Sequence, residues 1–88
     1  MDIATTSAVE RIARVLAGQR LSANAQGDEE SAATHVDASW RDHLDDAVAV
    51  LKTLREPDEA MARAGDPAVW ERMILAGLEA GILRRVLL

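Results

Sequence analysis

The two prolines of this chain, Pro57 and Pro67, place the strongest limits on its secondary structure. Each directly follows an acidic residue, Glu56 or Asp66. A proline inside a helix removes a backbone hydrogen bond and clashes with the preceding turn, whereas the first position of a new helix accepts it readily. The prolines therefore predict a helix that ends by Glu56, a short helix over 57–64, and a last helix that begins at Pro67.

Apolar residues at helical spacing predict two further helices before Pro57. A capping box formed by Ser7 and Glu10 opens a helix over 7–17, and Gly18 would close it. Asp37 is a suitable N-cap for a second helix over 38–55. One apolar stripe runs along that second helix, formed by Trp40, Leu44, Ala47, Leu51 and Leu54.

Residues 19–35 lie between these two helices and interrupt the periodic pattern. They are polar and acidic, and Leu21 is their only large apolar residue. Because such a composition cannot support a core, we expect a long acidic loop that is disordered or only partly ordered.

The whole chain of 88 residues predicts one all-α domain, a small bundle of three to four helices. Alanine and leucine dominate its apolar residues, and it holds no Phe, Tyr or Cys. That composition favours helices over strands and excludes a disulfide framework. The predicted core joins the second and last helices through Trp40, Leu44, Leu51, Leu54, Trp70, Met73 and Ile74.

The last helix, predicted over 67–83, is apolar on two faces. One face holds Trp70, Met73, Ile74, Gly77 and Gly81, and the other holds Leu75, Leu78 and Ile82. Since a small bundle can hardly cover both, we expect the second face, with Val86 of the tail 84–88, to contact another copy of the chain. The alternatives are that the first helix covers this face while the tail frays, and that Gly81 ends the helix.

A cluster of acidic residues on the second helix is the clearest candidate for chemistry. Asp42, Asp45 and Asp46 share a helix face, and His43 lies beside them. Carboxylates so spaced can hold Mg²⁺, which would suit a metal-dependent hydrolase of phosphate compounds. Such enzymes need a second acidic cluster, and the first helix offers only Glu10, so we favour a solvated acidic face. We assign no catalytic residue, no bound metal and no cofactor.

The net charge of −5 argues against nucleic acid as a partner. Arg11, Arg14 and Arg20 could form a local basic patch, which keeps a nucleic-acid-associated regulator as a second alternative. No apolar run approaches the length of a membrane span, and the first residues lack the features of a signal peptide. We therefore expect a cytoplasmic protein without membrane contact.

The sequence from Ala47 to Gly81 resembles a family of short bacterial proteins, many of them prophage-associated. The block Leu-Arg-Glu-Pro-x-x-Ala-Met at 54–61, the Ala-Gly at 64–65 and the segment Val-Trp-x-x-Met-Ile at 69–74 carry the resemblance. The family has no established function, so the resemblance implies no activity, cofactor or catalytic residue. The sequence is best interpreted as a non-catalytic helical interaction or accessory module that acts as a homo-oligomer.

Overall fold

The computed structural model describes residues 3–25 and 35–87, apart from the side chains of 22–25 and 82–87. The described residues form helices joined by short turns, with no strand among them, which confirms the all-α class. The elements are α1 at Ala8–Ala25, α2 at residues 35–39, a 3-10 turn at Trp40–His43, α3 at Leu44–Thr53, α4 at Glu59–Ala64 and α5 at Pro67–Leu87.

Helix α1 begins as predicted but continues well beyond its predicted end. The Ser7 Oγ accepts a hydrogen bond from the Glu10 amide at 3.1 Å, as a capping box requires. The prediction that Gly18 ends the helix was wrong, because α1 continues to Ala25. Gln19, Arg20 and Leu21 are good helix formers and outweigh the cost of about 1 kcal/mol for one glycine. Part of the predicted loop is thus helical, and its residues 26–34 lie outside the described residues.

The predicted helix over 38–55 consists of three consecutive pieces. Residue 35 is already helical, so Asp37 is not an N-cap; its carboxylate accepts a hydrogen bond from Arg14 at 2.7 Å. The Ser39 hydroxyl donates to the His35 carbonyl at 2.6 Å, and a 3-10 turn follows. Trp40 is the first residue of this turn and is buried in the core. Helix α3 then ends at Thr53, slightly before the predicted end.

The two acid–proline pairs begin helices in different ways. The prediction that Pro57 is the first residue of α4 was wrong, because α4 begins at Glu59. Asp58 is the N-cap, and its carboxylate accepts a hydrogen bond from the Met61 amide at 2.9 Å. Pro67 is the first residue of α5, as predicted, and the Asp66 carboxylate accepts the Ala68 amide at 2.9 Å. The reason for the difference is that Asp58 follows its proline, whereas Asp66 precedes it.

The core lies where α1, the 3-10 turn, α3 and α5 meet. Its buried side chains are Val9, Ala13, Ala17, Trp40, Ala47, Leu51, Ile74 and Leu78. Three of them are alanines from α1 and α3 with no exposed surface, and such small residues let the two helices approach closely. Leu44 and Trp70 are half-buried against this core. Two predicted core residues lie outside it: Leu54 is 42% exposed and Met73 is 62% exposed.

Helix α5 packs on α1 through its two glycines. A Cβ atom added at Gly81 would lie 2.6 Å from the Val9 Cβ, so only glycine fits this contact. A Cβ atom added at Gly77 would lie 3.5 Å from Leu51 and 3.8 Å from Ala8, which are ordinary van der Waals distances. The helix continues through Gly81 to Leu87, beyond the predicted end at residue 83. Gly81 therefore serves a close helix–helix contact within one chain and does not end the helix.

Within the described residues, none of the helices combines the length and apolar character that crossing a membrane requires.

Candidate functional site

The predicted acidic cluster is only partly gathered around one groove. Asp42 lies in the 3-10 turn, and Asp45 and Asp46 lie in the first turn of α3. All three are exposed, and His43 is half-buried. A surface groove of about 410 Å³ between α1 and this region is lined by Ala17, Arg20, Leu21, Ser39, Asp42, His43 and Asp46. Asp45 is not among its lining residues.

This groove has the wrong donor set for a hard cation. A divalent ion with oxygen ligands needs several carboxylates or carbonyls turned to one point. Among the described residues, no group of three or more His, Asp or Glu side chains lies close enough to hold a metal ion. Arg20 lines the same groove, and its positive charge opposes a cation beside Asp42 and Asp46.

Two of the three arginines proposed as a basic patch, Arg11 and Arg14, are engaged within the chain. Arg14 donates to Glu10 at 2.9 Å and to Asp37 at 2.7 Å. The hydrogen bond to Asp37, followed by the one to Glu10, raises the pKa of the Arg14 guanidinium above its ordinary value. The same guanidinium lies 5.1 Å from the centre of the buried Trp40 ring, as a cation–π contact requires. Arg11 donates to the Thr6 carbonyl at 3.2 Å.

Two guanidinium groups contact the Trp40 ring. The Arg41 Cζ lies 4.5 Å from the ring centre, and the Arg14 Cζ lies 5.1 Å from it. Trp40 is 4% exposed, so the arginines cover an indole that is a core residue and not a free stacking surface. These contacts hold α1 against the 3-10 turn. Arg14 and Arg41 therefore stabilise the fold.

An apolar concavity lies between α4 and the beginning of α5. This α4–α5 groove, of about 410 Å³, is lined mainly by Pro57, Met61, Ala64, Val69, Trp70 and Met73. Helix α4 contributes no buried residue, so its apolar side faces the groove and not the core. Methionine side chains are flexible and polarisable, which suits a surface that adapts to an apolar partner.

Trp70 fixes the geometry of this groove. Its indole Nε1 donates to the Leu54 carbonyl at 2.6 Å, across the turn that separates α3 from α4. The side chain therefore ties the first turn of α5 to the end of α3 while one part of it lines the groove. Asp66, also in the lining, caps α5 through the Ala68 amide. Hydrogen bonds thus fix the start of α5 beside the groove, and the lining of the groove is mainly apolar.

An exposed apolar stripe on α5 continues from the groove. We define this outer stripe as Val69, Met73, Ala76 and Ala80, which follow one another at spacings of four and three residues. Val69 is 39% exposed and Met73 is 62% exposed, and both alanines are exposed. Residues at this spacing form a single narrow face of a helix. The groove and the outer stripe together form one apolar surface.

The residues predicted to contact another copy do not form one exposed face. Leu75 is 42% exposed, whereas Leu78 is 6% exposed and belongs to the core of the single chain. The side chains of Ile82 and Val86 lie outside the described residues. Leu78 packs inward because α1 and α3 approach α5 from that side. The exposed apolar residues of α5 include instead Met73, which was predicted for the core, and Ala76.

The sequence interpretation missed the α4–α5 groove even though it singled out most of its residues. Pro57, Met61, Val69, Trp70 and Met73 all belong to the block on which the family resemblance depends. The sequence predicts Pro57 as the start of a short helix, and Trp70 and Met73 as core residues. The feature that could have indicated the groove is the short length of α4. A bundle of the longer helices cannot cover the apolar side of α4.

No protein-family model matches the chain. None of the curated proteins compared with it, and none of the solved structures, shows a significant similarity.

Proposed function

We propose that this protein is a non-catalytic helical interaction module that works as a homo-oligomer. The observation that carries the proposal is the continuous apolar surface of the α4–α5 groove and the outer stripe. Exposed apolar groups scattered singly are normal on a monomer, whereas a continuous apolar surface marks an interaction site. Met73, at its centre, leaves 62% of its surface exposed on a well-formed helix.

The size of the core adds support for self-association. Among the described residues, Val9 is the one larger core side chain that is as little as 1% exposed, and three of the eight core residues are alanines. Small domains bury a low fraction of their surface and commonly gain stability by oligomerisation. A second copy that covers the groove and stripe would extend this small core.

Light scattering coupled to size-exclusion chromatography tests the proposal. We expect the mass to rise with concentration from 9.5 kDa towards twice that value. Samples from about 1 μM to about 1 mM cover the range of weak and moderate dimers. A constant mass of one chain throughout this range would contradict self-association. Cytoplasmic location, phage origin and membership of the family of short bacterial proteins stay predictions.

A further inference from the structure

A second apolar concavity lies between α1 and α3, on residues that the α4–α5 groove does not share. This α1–α3 surface encloses about 500 Å³ and is lined by Ala8, Arg11, Ile12, Val15, Leu16 and Val50. Val15 is 60% exposed and Val50 is 40% exposed, so both valines present apolar surface to the solvent. The described part of the chain thus leaves two separate apolar surfaces uncovered by its own helices.

The charges beside these two surfaces have opposite signs. Of the described residues that line the α4–α5 groove, Asp66 alone is charged, and Arg11 alone is charged in the lining of the α1–α3 surface. Residues 56–66, which include α4, contain four acidic residues and one arginine, a net charge of −3. Residues 8–21 of α1 contain three arginines and one acidic residue, a net charge of +2. Surfaces of opposite charge are complementary, and their association is favoured.

Arg11 and Asp66 each retain hydrogen-bonding capacity for a contact with another molecule. Both residues are exposed. The Arg11 Nε donates to the Thr6 carbonyl at 3.2 Å, and the terminal nitrogens of the guanidinium carry further donors. The Asp66 Oδ1 accepts the Ala68 amide, and the carboxylate has a second oxygen. One hydrogen bond thus positions each group within its own chain, and a charge-assisted contact between chains can be added.

The two surfaces do not cover each other within one chain. Helix α1 packs against α3, the 3-10 turn and α5 of its own chain. In that arrangement Val15 on α1 and Met73 in the groove are 60% and 62% exposed. Burial of both surfaces against each other therefore requires a second copy.

We propose that the α1–α3 surface of one copy docks on the α4–α5 groove of a second copy. Val15 enters the apolar lining near Met73, and Arg11 lies against the acidic segment 56–66. This proposal rests on the proposed self-association and adds which two surfaces meet.

An interface between two different surfaces of the same chain is heterologous. Each pair of copies keeps one unoccupied groove and one unoccupied α1–α3 surface, so further copies add at both ends. Association therefore continues past two chains, into an open series or a closed ring. Two apolar surfaces of this extent form an interface of the small class, below about 1,200 Å² in total, so each contact is weak and concentration-dependent.

Sedimentation equilibrium of the wild-type chain tests the heterologous arrangement. We expect the average mass to pass twice the single-chain mass of 9.5 kDa as the concentration approaches about 1 mM, the range of weak contacts.

Two matched substitutions test the surfaces. Val15→Glu places a charge on the α1–α3 surface and Met73→Glu places one in the groove, at positions of nearly equal exposure. We expect each to weaken association at least about tenfold, because the contact would bury an unpaired charge. Leu75→Glu is the control, since Leu75 is 42% exposed and lines neither surface, and it should change the dissociation constant less than about twofold. Circular dichroism at low concentration checks that all three variants keep their helices.

An equimolar mixture of Val15→Glu and Met73→Glu should restore one contact. The first variant keeps an intact groove, and the second keeps an intact α1–α3 surface. The two therefore form a pair with the affinity of the wild-type contact. That pair exposes only the two altered surfaces, so we expect the mass of the mixture to stop at two chains.

Asp66→Asn tests the contribution of charge. Asparagine caps a helix as well as aspartate does, so α5 keeps its start while the groove loses its charged residue. We expect association to weaken severalfold at low salt, and the difference to disappear at about 1 M salt, where charges are screened within roughly 3 Å. Glu79→Gln removes the same charge from an exposed position outside the groove and should leave association unchanged. An equal effect of both variants would contradict the pairing of charged surfaces.

The remaining outcomes separate this inference from the self-association on which it rests. A monomeric wild-type chain would remove both. A wild-type mass that stops at two chains, with no effect of Val15→Glu, would overturn the heterologous contact and leave self-association intact. A mixture of the two glutamate variants that stays monomeric would show that the α1–α3 surface is not the occupant of the groove.

Discussion

Two pairs of small residues on α5, one position apart in the sequence, have opposite surroundings. Gly77 and Gly81 face α1 and α3, where a Cβ atom at Gly81 would collide with Val9. Ala76 and Ala80 face outward and are exposed. Gly81 must be a glycine because the Val9 side chain of the same chain approaches it closely, whereas the alanines leave room for a second helix at ordinary spacing.

The same contrast separates the larger side chains of α5. Ile74 is 7% exposed and Leu78 is 6% exposed on the inner face, while Met73 and Leu75 on either side of Ile74 are 62% and 42% exposed. Composition alone cannot make this distinction, since all four residues are apolar and of similar size. The position of α1 selects which of them are buried. One helix thus has an inner face that determines stability and an outer face available for association.

The largest expected effect on stability comes from truncating the inner face at Ile74. Ile74→Ala removes buried methyl groups and leaves a cavity, so we expect a loss of about 2–5 kcal/mol in the free energy of unfolding. Urea denaturation at a fixed low protein concentration measures it, because association would otherwise add to the apparent stability. Leu75→Ala is the neighbouring control, for which we expect less than about 1 kcal/mol. Equal losses at the two positions would show that the inner face is wrongly placed.

The glycine contact with α1 gives the next effect. Gly81→Ala forces α5 away from Val9, and overpacking of this kind costs about 1–3 kcal/mol. The matched change Gly77→Ala meets only ordinary contact distances, so the higher helix propensity of alanine should stabilise the chain by up to about 1 kcal/mol. The two substitutions are chemically identical and four residues apart. A gain in melting temperature for both would mean that α1 and α5 do not approach as closely as described.

Much of the fold could be predicted because local signals decide it. The capping box at Ser7, the start of α5 at Pro67 and the helical class all follow from residues close in sequence. The continuation of α1 past Gly18 and of α5 through Gly81 could not be predicted in this way. A glycine is equally suited to end a helix or to permit a close contact, and only the neighbouring helix decides between them.

The candidate surface was harder to predict than the fold. The excess of apolar residues on α5 predicts a second apolar face that includes Leu78, with Met73 in the core, whereas the structure buries Leu78 and exposes Met73. The two predicted faces of α5 are separated by little more than a quarter of a turn around the helix. A small error in the direction from which α1 approaches therefore assigns a residue to the wrong face. The α4–α5 groove depends on a tertiary contact, the Trp70 hydrogen bond to Leu54, which no periodic pattern contains.

The hydrogen bond from Trp70 to the Leu54 carbonyl links the inner face of α5 to the groove. Its removal should give the smallest of these losses in the free energy of unfolding. Trp70→Phe keeps an aromatic ring against the core but leaves the Leu54 carbonyl without the indole donor. Because this bond lies near the surface, water can replace the donor, and we expect a loss of about 1 kcal/mol. For a domain of this size that lowers the melting temperature by about 4–8 °C.

Trp70→Phe also tests whether the groove depends on the frame that Trp70 provides. Without the tie to Leu54, α4 is held less firmly to the rest of the chain, since it contributes no buried residue to the core. Amide hydrogen exchange in residues 59–64 should therefore accelerate more than exchange in α1, where the core is unchanged. Leu54→Ala is the control, because it removes a 42% exposed side chain and keeps the carbonyl acceptor. Equal acceleration in α1 and α4 would mean that Trp70 stabilises the whole chain and does not specifically hold the groove.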